Sequence, residues 1–293
     1  MKIIVVQGPT ASGKTGLSVQ IAKTLKTVVI SADSRQFYRE MNIGTAKPMI
    51  EEMDGVPHYF IDSHQIKDEL TAAEFSSSAR KLMDELKGKY EHIVVVGGSG
   101  MFVDALINGL DDLPTDSNVK QNLQENFERF GLQFLQDKFF EKDPNGKDLI
   151  DFKNPMRLMR ALEIMELTGK PWSEQRLGQQ SPIQGKVFRF AINWDRETLY
   201  RRINQRVDQM MEQGLLEEVK SLSEYRTSKP LNTVGYKELF EYLDGNCDLP
   251  TAIDKIKQHT RNYAKRQLTW LRRYDDLVWL NPKENCLELV IQH

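Results

Sequence analysis

Eight residues near the N-terminus, Gly8, Pro9, Thr10, Ala11, Ser12, Gly13, Lys14 and Thr15, match the pattern G-x-x-x-x-G-K-[ST] in full. In this pattern the glycines let successive backbone N–H groups converge on phosphate oxygens at the start of a helix. Lys14 adds a point charge, and the hydroxyl of Thr15 is of the kind that ligates Mg²⁺. The pattern needs a strand before it and a helix after it. Residues 2–6 form an apolar run of strand length, and Leu17, Ile21 and Leu25 recur at helical spacing. A phosphate or diphosphate site at residues 8–15 follows, although the pattern does not name the compound.

Other candidates gather around this cradle. Asp33 follows the second apolar run, and strand ends border the ligand crevice in an open parallel sheet. It is read either as a carboxylate beside the phosphate site or as the cap of the next turn. A third run, residues 93–96, enters Gly97-Gly98-Ser99-Gly100. Many P-loop hydrolases carry an Asp there, so ordinary ATP hydrolysis is disfavoured. The glycines either admit a bulky substrate to the backbone or simply make a tight turn. Arg202 and Arg206 are one helical turn apart and form either an anion clamp or the commoner solvated charged face.

Residues 255–273 carry Lys255, Lys257, Arg261, Lys265, Arg266, Arg272 and Arg273 with no Asp or Glu. In a chain of net charge −2 that local excess is the footprint of a phosphate backbone. Tyr263, Trp270 and Tyr274 on the same helix read as core anchors because they fall near its apolar positions. Arg157 and Arg160 form a second basic pair one turn apart. The five histidines make no cluster, and Cys247 and Cys286 match no metal spacing.

The elements that must position these residues alternate strand and helix, which predicts an α/β fold: a P-loop NTPase-like parallel sheet with helices on both faces. Strands are expected at 2–6, 27–31, 59–61, 93–96, 186–193 and 277–280. Helices are expected after the P-loop and at 71–86, 101–108, 196–211, 215–223, 234–243 and 251–274, with Asp195 as an N-cap. From Asp116 to about Gln180 only helical stripes occur, so an all-α insertion domain is expected. The division is a first core part at 1–114, the insertion at 115–185 and a second core part at 186–293. Hydrophobic content of 40% with 28% charged residues suits a soluble globular chain. Without a span-length apolar stretch, a signal-peptide pattern or a paired-cysteine framework, a reduced, cytoplasmic protein is expected, with no membrane partner and monomer as the default.

Taken together, the motifs resemble the tRNA dimethylallyltransferases, also called tRNA isopentenyltransferases. The resemblance is carried by residues 8–15, Asp33-Ser34-Arg35-Gln36-Phe37-Tyr38, residues 42–48 (NIGTAKP) and 96–100, residues 157–163 (RLMRALE), Val234-Gly235-Tyr236-Lys237 and residues 264–271 (AKRQLTWL). It runs from about residue 3 to residue 280. It implies transfer of a dimethylallyl group from dimethylallyl pyrophosphate to N6 of the adenosine next to the anticodon of tRNA, position 37, with release of pyrophosphate. Asp33 would be the base, with Ser99 and Arg206 as further catalytic groups. Gly8, Thr10, Ala11, Ser12, Gly13, Lys14 and Thr15 would bind pyrophosphate, with Mg²⁺ at Thr15. The anticodon stem-loop would meet Asp33, Ser34, Arg35, Gln36, Lys120, Arg157, Arg160, Lys237, Lys265 and Arg266. The chain departs from the family where Ser99 replaces a common Thr, and where Asn232 and Lys237 stand at positions often held by Arg. The zinc finger of some eukaryotic members is absent, which makes the resemblance one to the compact bacterial type. A P-loop small-molecule or nucleotide kinase is the alternative, and an RNA-binding protein with a vestigial P-loop is a third reading.

Overall fold

The computed structural model describes residues 1–111, 113–175 and 181–293. One residue of the predicted first core part (112) and five of the predicted insertion (176–180) therefore lie outside the described residues. The strands are β1 (Lys2–Gln7), β2 (Val29–Ser31), β3 (His58–Tyr59), β4 (His92–Gly97), β5 (Lys186–Ile192) and β6 (Leu277–Leu280). The first helices are α1 (Lys14–Thr24), α2 (Ile50–Met53), α3 (Ala72–Leu86) and α4 (Gly100–Asn108). Then come α5 (Ser117–Lys142), α6 (Pro155–Thr168), α7 (Arg196–Glu212) and α8 (Leu215–Ser221). The last are α9 (Tyr236–Leu243), α10 (Leu249–Leu271) and α11 (Cys286–Ile291).

All six strands form one parallel sheet in the order β3-β2-β4-β1-β5-β6. Side chains alternate across a strand, so successive residues of β1 enter different cores. Ile3 and Val5 join one cluster with Phe75 of α3, Phe102 and Val103 of α4 and Ile256 of α10. Ile4 and Val6 join the other with Leu17 and Ile21 of α1 and Val290 of α11. Helices on both faces explain why β1 and β4 are almost uninterrupted apolar runs. Local rules set the helix starts: Thr71, Asp195 and Asp248 accept the N–H of Glu74, Thr198 and Thr251.

The chain divides into two compact units, Met1–Gly109 with Pro182–His293, and Leu110–Ser181. The smaller unit is helical. Leu123, Leu135 and Phe139 of α5 pack with Leu158 and Leu162 of α6, and α5 is broken at Gly131, whose φ of 75° is left-handed. Among the described residues, no helix is long and apolar enough to cross a membrane.

Candidate active site

β1 ends at Gln7, and the backbone turns through Gly8 and Ala11 into α1, where Gly13 takes the N-cap position at φ 95°. No side chain caps α1, so its first N–H groups are left for a ligand and the helix dipole favours an anion there. Three consecutive P-loop residues are pinned by later parts of the chain. Thr10 N–H donates to Gln267 Oε1 at 2.9 Å. Arg202 Nε donates to the carbonyl of Ala11 at 2.7 Å, and Trp194 Nε1 donates to that of Ser12 at 2.9 Å. The phosphate cradle is thus held from outside as well as by its own turn.

A cavity of about 320 Å³ opens above the sheet. Its walls include Thr10, Ala11, Lys14 and Thr15 of the cradle, Asp33, Ser34, Arg35 and Gln36 after β2, Arg206 of α7 and Tyr263 of α10. Asp33 satisfies both of its readings: one oxygen accepts the N–H of Arg35 at 3.2 Å, and the side chain still lines the cavity. Burial lowers Lys14 to about 8, although Asp33 supports its charge, and Arg206 opposes it. Burial also lowers Arg206, against the pull of Asp33 and Glu52. Lys14, Asp33 and Arg206 therefore act on one another across the cavity they line.

The solvated-face reading fails for Arg202 and Arg206. Arg202 stacks over Trp194 at 4.8 Å while holding Ala11, and Arg206 is half-buried in the cavity wall. Only the adjacent Arg201 is exposed. The core-anchor reading fails for Tyr263, which lines the cavity and is 37% exposed. Its hydroxyl is pushed up to about 12 by burial and then by the Asp33 carboxylate, with a hydrogen bond to Ser99 opposing. Trp270 and Tyr274 do anchor the helix, both hydrogen-bonding Asp104 of α4.

Ser99 accepts the N–H of Ser34 at 3.1 Å and donates to Ser34 Oγ at 3.0 Å, tying the end of β4 to the turn that carries Asp33. Gly8, Ser12 and Gly13 do not line this cavity; Ser12 and Gly13 border an adjoining one of about 390 Å³ that shares Lys14, Thr15 and Arg206 with it. Gln267 joins the site without having been singled out from sequence. Besides holding Thr10, it donates Nε2–H to the carbonyl of Gly98 at 2.9 Å, and any Cβ at position 98 would collide with its amide. That close approach is the physical need for glycine there.

Lys237, Lys265 and Arg266 are exposed on α9 and α10. In the helical unit, Arg157 is exposed and 3.7 Å from Asp151. Arg160 is committed locally: its guanidinium donates to the carbonyls of Leu113 and Pro114 and to the buried Glu163. Glu163 also accepts from Thr115 and Asp116 and lies 3.9 Å from Lys120.

A model of the IPP transferase family matches residues 36–274. The chain is 44% identical to tRNA dimethylallyltransferase 1 of Bacteroides thetaiotaomicron, over 96% of this chain and 92% of that one. It is 45% identical to the tRNA dimethylallyltransferase of Christiangramia forsetii, over 97% and 94%. Among solved structures, the full-length tRNA isopentenylpyrophosphate transferase of Bacillus halodurans superposes with a TM-score of 0.72 at 39% identity, over 99% of this chain and 93% of the other. A eukaryotic dimethylallyltransferase acting on tRNA superposes at 0.79 with 26% identity, over 96% and 73%. A cradle, a facing carboxylate and near-complete coverage at such identity lead to one conclusion: this chain belongs to the tRNA dimethylallyltransferase family.

Proposed function

We propose that the 320 Å³ cavity carries out transfer of a dimethylallyl group from dimethylallyl pyrophosphate to N6 of adenosine 37 of tRNA. The observation that carries this reading is that Lys14, Thr15 and Arg206 share one enclosed space with Asp33. The exocyclic amine is a weak nucleophile because its lone pair is delocalised into the ring. Asp33 takes its proton as the N6–C1 bond forms and the C1–O bond breaks. The leaving diphosphate gains charge, which the N–H groups of the P-loop, Lys14 and Arg206 stabilise in place. Ser99 holds the Asp33 turn through Ser34, and so acts on the base by orienting it.

The residues fit a magnesium ion carried on the diphosphate. Among the described residues no group of three or more His, Cys, Asp or Glu could hold a metal, so beyond the Thr15 hydroxyl its ligands would be diphosphate oxygens and water. When bound, the ion supplies charge neutralisation of the leaving group.

The target base lies in a stacked loop and must be flipped into the cavity, at about a few kcal/mol. Lys265 and Arg266 of α10, Lys237 of α9, and Lys120 and Arg157 of the helical unit would offset that cost by contact with RNA, while Arg160, which the sequence grouped with them, is taken up by Leu113, Pro114 and Glu163. A monomer working in the cytoplasm completes this reading.

The test uses the full chain, Mg²⁺, labelled dimethylallyl pyrophosphate and unmodified tRNA. Label in RNA at adenosine 37 is expected, and Asp33→Asn should cut the single-turnover rate by about 10²–10⁴-fold with tRNA affinity kept. Consumption of ATP with a small-molecule acceptor and no label in RNA would refute the reading.

A further inference from the structure

Two cavities of the larger unit share part of their walls. The reaction cavity is near the lower end of the usual range for ligand pockets, about 300–1,000 Å³. It has to hold a diphosphate, a five-carbon chain and an adenine. A second cavity of about 650 Å³ lies between the 42–53 segment and α7, with Ile43, Met49 and Met53 among its walls. Ala46, Pro48, Arg206 and Met210 line both. Of these four, Met210 alone has a long, unbranched apolar side chain able to fill an irregular gap.

Met210 is one turn beyond Arg206 on α7 and packs with Val207, Val234 and Ile256 in one apolar cluster. Those four residues form an apolar stretch of the cavity wall. Asp33 to Gln36, which also line the cavity, are mostly polar, so a donor whose diphosphate is held by Lys14 and Arg206 would lay its hydrocarbon end against that apolar stretch.

We infer that Met210 sets the length of prenyl chain the enzyme accepts, closing the reaction cavity behind a five-carbon donor and walling it off from the second cavity. This rests on the function proposed above. Truncating Met210 would join the two spaces and let the second five-carbon unit of geranyl diphosphate pass between Ala46 and α7. The bonds made and broken stay the same: N6–C1 forms, C1–O breaks, diphosphate leaves and Asp33 takes the proton.

The experiment measures kcat/KM of the full chain for dimethylallyl and geranyl diphosphate with unmodified tRNA, in wild type, Met210→Ala and Met210→Val. The geranyl-to-dimethylallyl ratio is expected to rise at least about tenfold in Met210→Ala, since one misfitting methylene alone is worth about tenfold or more, and to rise less in Met210→Val. If Met210→Ala loses its cooperative thermal unfolding, Met210→Val carries the test. An unchanged ratio, or a wild type that already uses both donors equally, overturns the proposal. If dimethylallyl transfer persists while the ratio stays flat, only the length gate fails. If wild type transfers neither chain, the proposed function falls and the gate with it.

Discussion

Gln267 reaches the N–H of Thr10 at 2.9 Å, joining the last long helix to the first turn of the phosphate cradle across 257 residues of chain. Its amide also holds Gly98, so one buried side chain spaces the leaving-group site from the loop that carries Ser99. Replacing it with Met preserves the volume but leaves both backbone partners unpaired, at about 1–3 kcal/mol each where buried. Gln267→Met should weaken binding of a non-reactive donor analogue about tenfold or more while tRNA affinity stays level. Gln267→Glu keeps the acceptor for Thr10, loses the donor for Gly98 and adds negative charge beside the diphosphate, so donor binding should fall further. Calorimetric titration of each ligand separates the two. A uniform loss of both affinities would make Gln267 a general structural residue.

Lys14 links donor binding to pH. Burial holds it at about 8 in the free protein, so its ammonium is present below that and lost above it. Donor affinity should be level up to about pH 7 and then fall, approaching about tenfold per pH unit once the neutral amine dominates. A bound diphosphate favours the ammonium, so binding near pH 9 should take up a proton that binding near pH 6 does not. The folded value lies below the unfolded one, and the folded state therefore binds fewer protons between about 8 and 10.5. The Lys14 contribution to stability should accordingly rise with pH across that window. Titrations in two buffers of different ionisation heat measure the uptake. Equal proton counts at both pH values would contradict the assignment.

Much of this site was legible because its chemistry is local. Residues 8–15 declare a phosphate cradle within one turn, and strand alternation puts Asp33 at the carboxyl edge beside it. What stayed hidden depends on contacts made across the chain. Gln267 sits in a basic stretch whose charges suggest surface, yet the helix is amphipathic and turns Gln267 and Tyr263 inward while Lys265 and Arg266 face out. Arg202 looked like a solvated charge because nothing in its own helix says that the carbonyl of Ala11 waits opposite. Arg160 shows the reverse case, a cation whose donors are taken up by Leu113, Pro114 and Glu163. The short α11 was missed because six residues offer too little periodicity to read.

The cations of the basic helix α10 are not equivalent. Lys255 pairs with Glu241 and Lys257 with Asp208, while Arg261 donates to Asn204, so these cations serve the fold. Lys265 and Arg266 are exposed near the cavity-lining Tyr263, whose ring Arg266 overlies at 5.9 Å, and make no ion pair with a carboxylate among the described residues. Lys265→Ala with Arg266→Ala should weaken tRNA binding and reduce the salt slope of log Kd by about 1.5, the loss of two contacts. Lys255→Ala with Lys257→Ala should leave that slope unchanged. Filter binding across a salt series decides it; equal slopes for both pairs would mean the split is wrong.

Glu218 of α8 organises the 42–44 segment, whose end lines the cavity. Its carboxylate accepts the N–H groups of Asn42, Ile43 and Gly44 at 3.0, 2.7 and 3.0 Å, and the hydroxyl of Tyr236 at 2.7 Å. Tyr236 is buried and packs on Gly44, where any Cβ would strike its ring. Burial, followed by the Glu218 charge, raises the Tyr236 phenol, which keeps it a donor at all working pH values. Gly44, Thr45 and Ala46 line the cavity, so the clamp sets the shape of the donor site without touching the reacting atoms. Glu218→Gln should cost about 1.5–3 kcal/mol, as expected for hydrogen bonds to a charged group, and Tyr236→Phe about 1 kcal/mol. The two share a partner and should be non-additive, with the double variant less damaged than the sum. Urea unfolding gives the energies, and steady-state kinetics should show KM for the donor rising more than kcat falls. Strict additivity, with donor KM unmoved, would mean that the 42–44 segment holds its shape without Glu218.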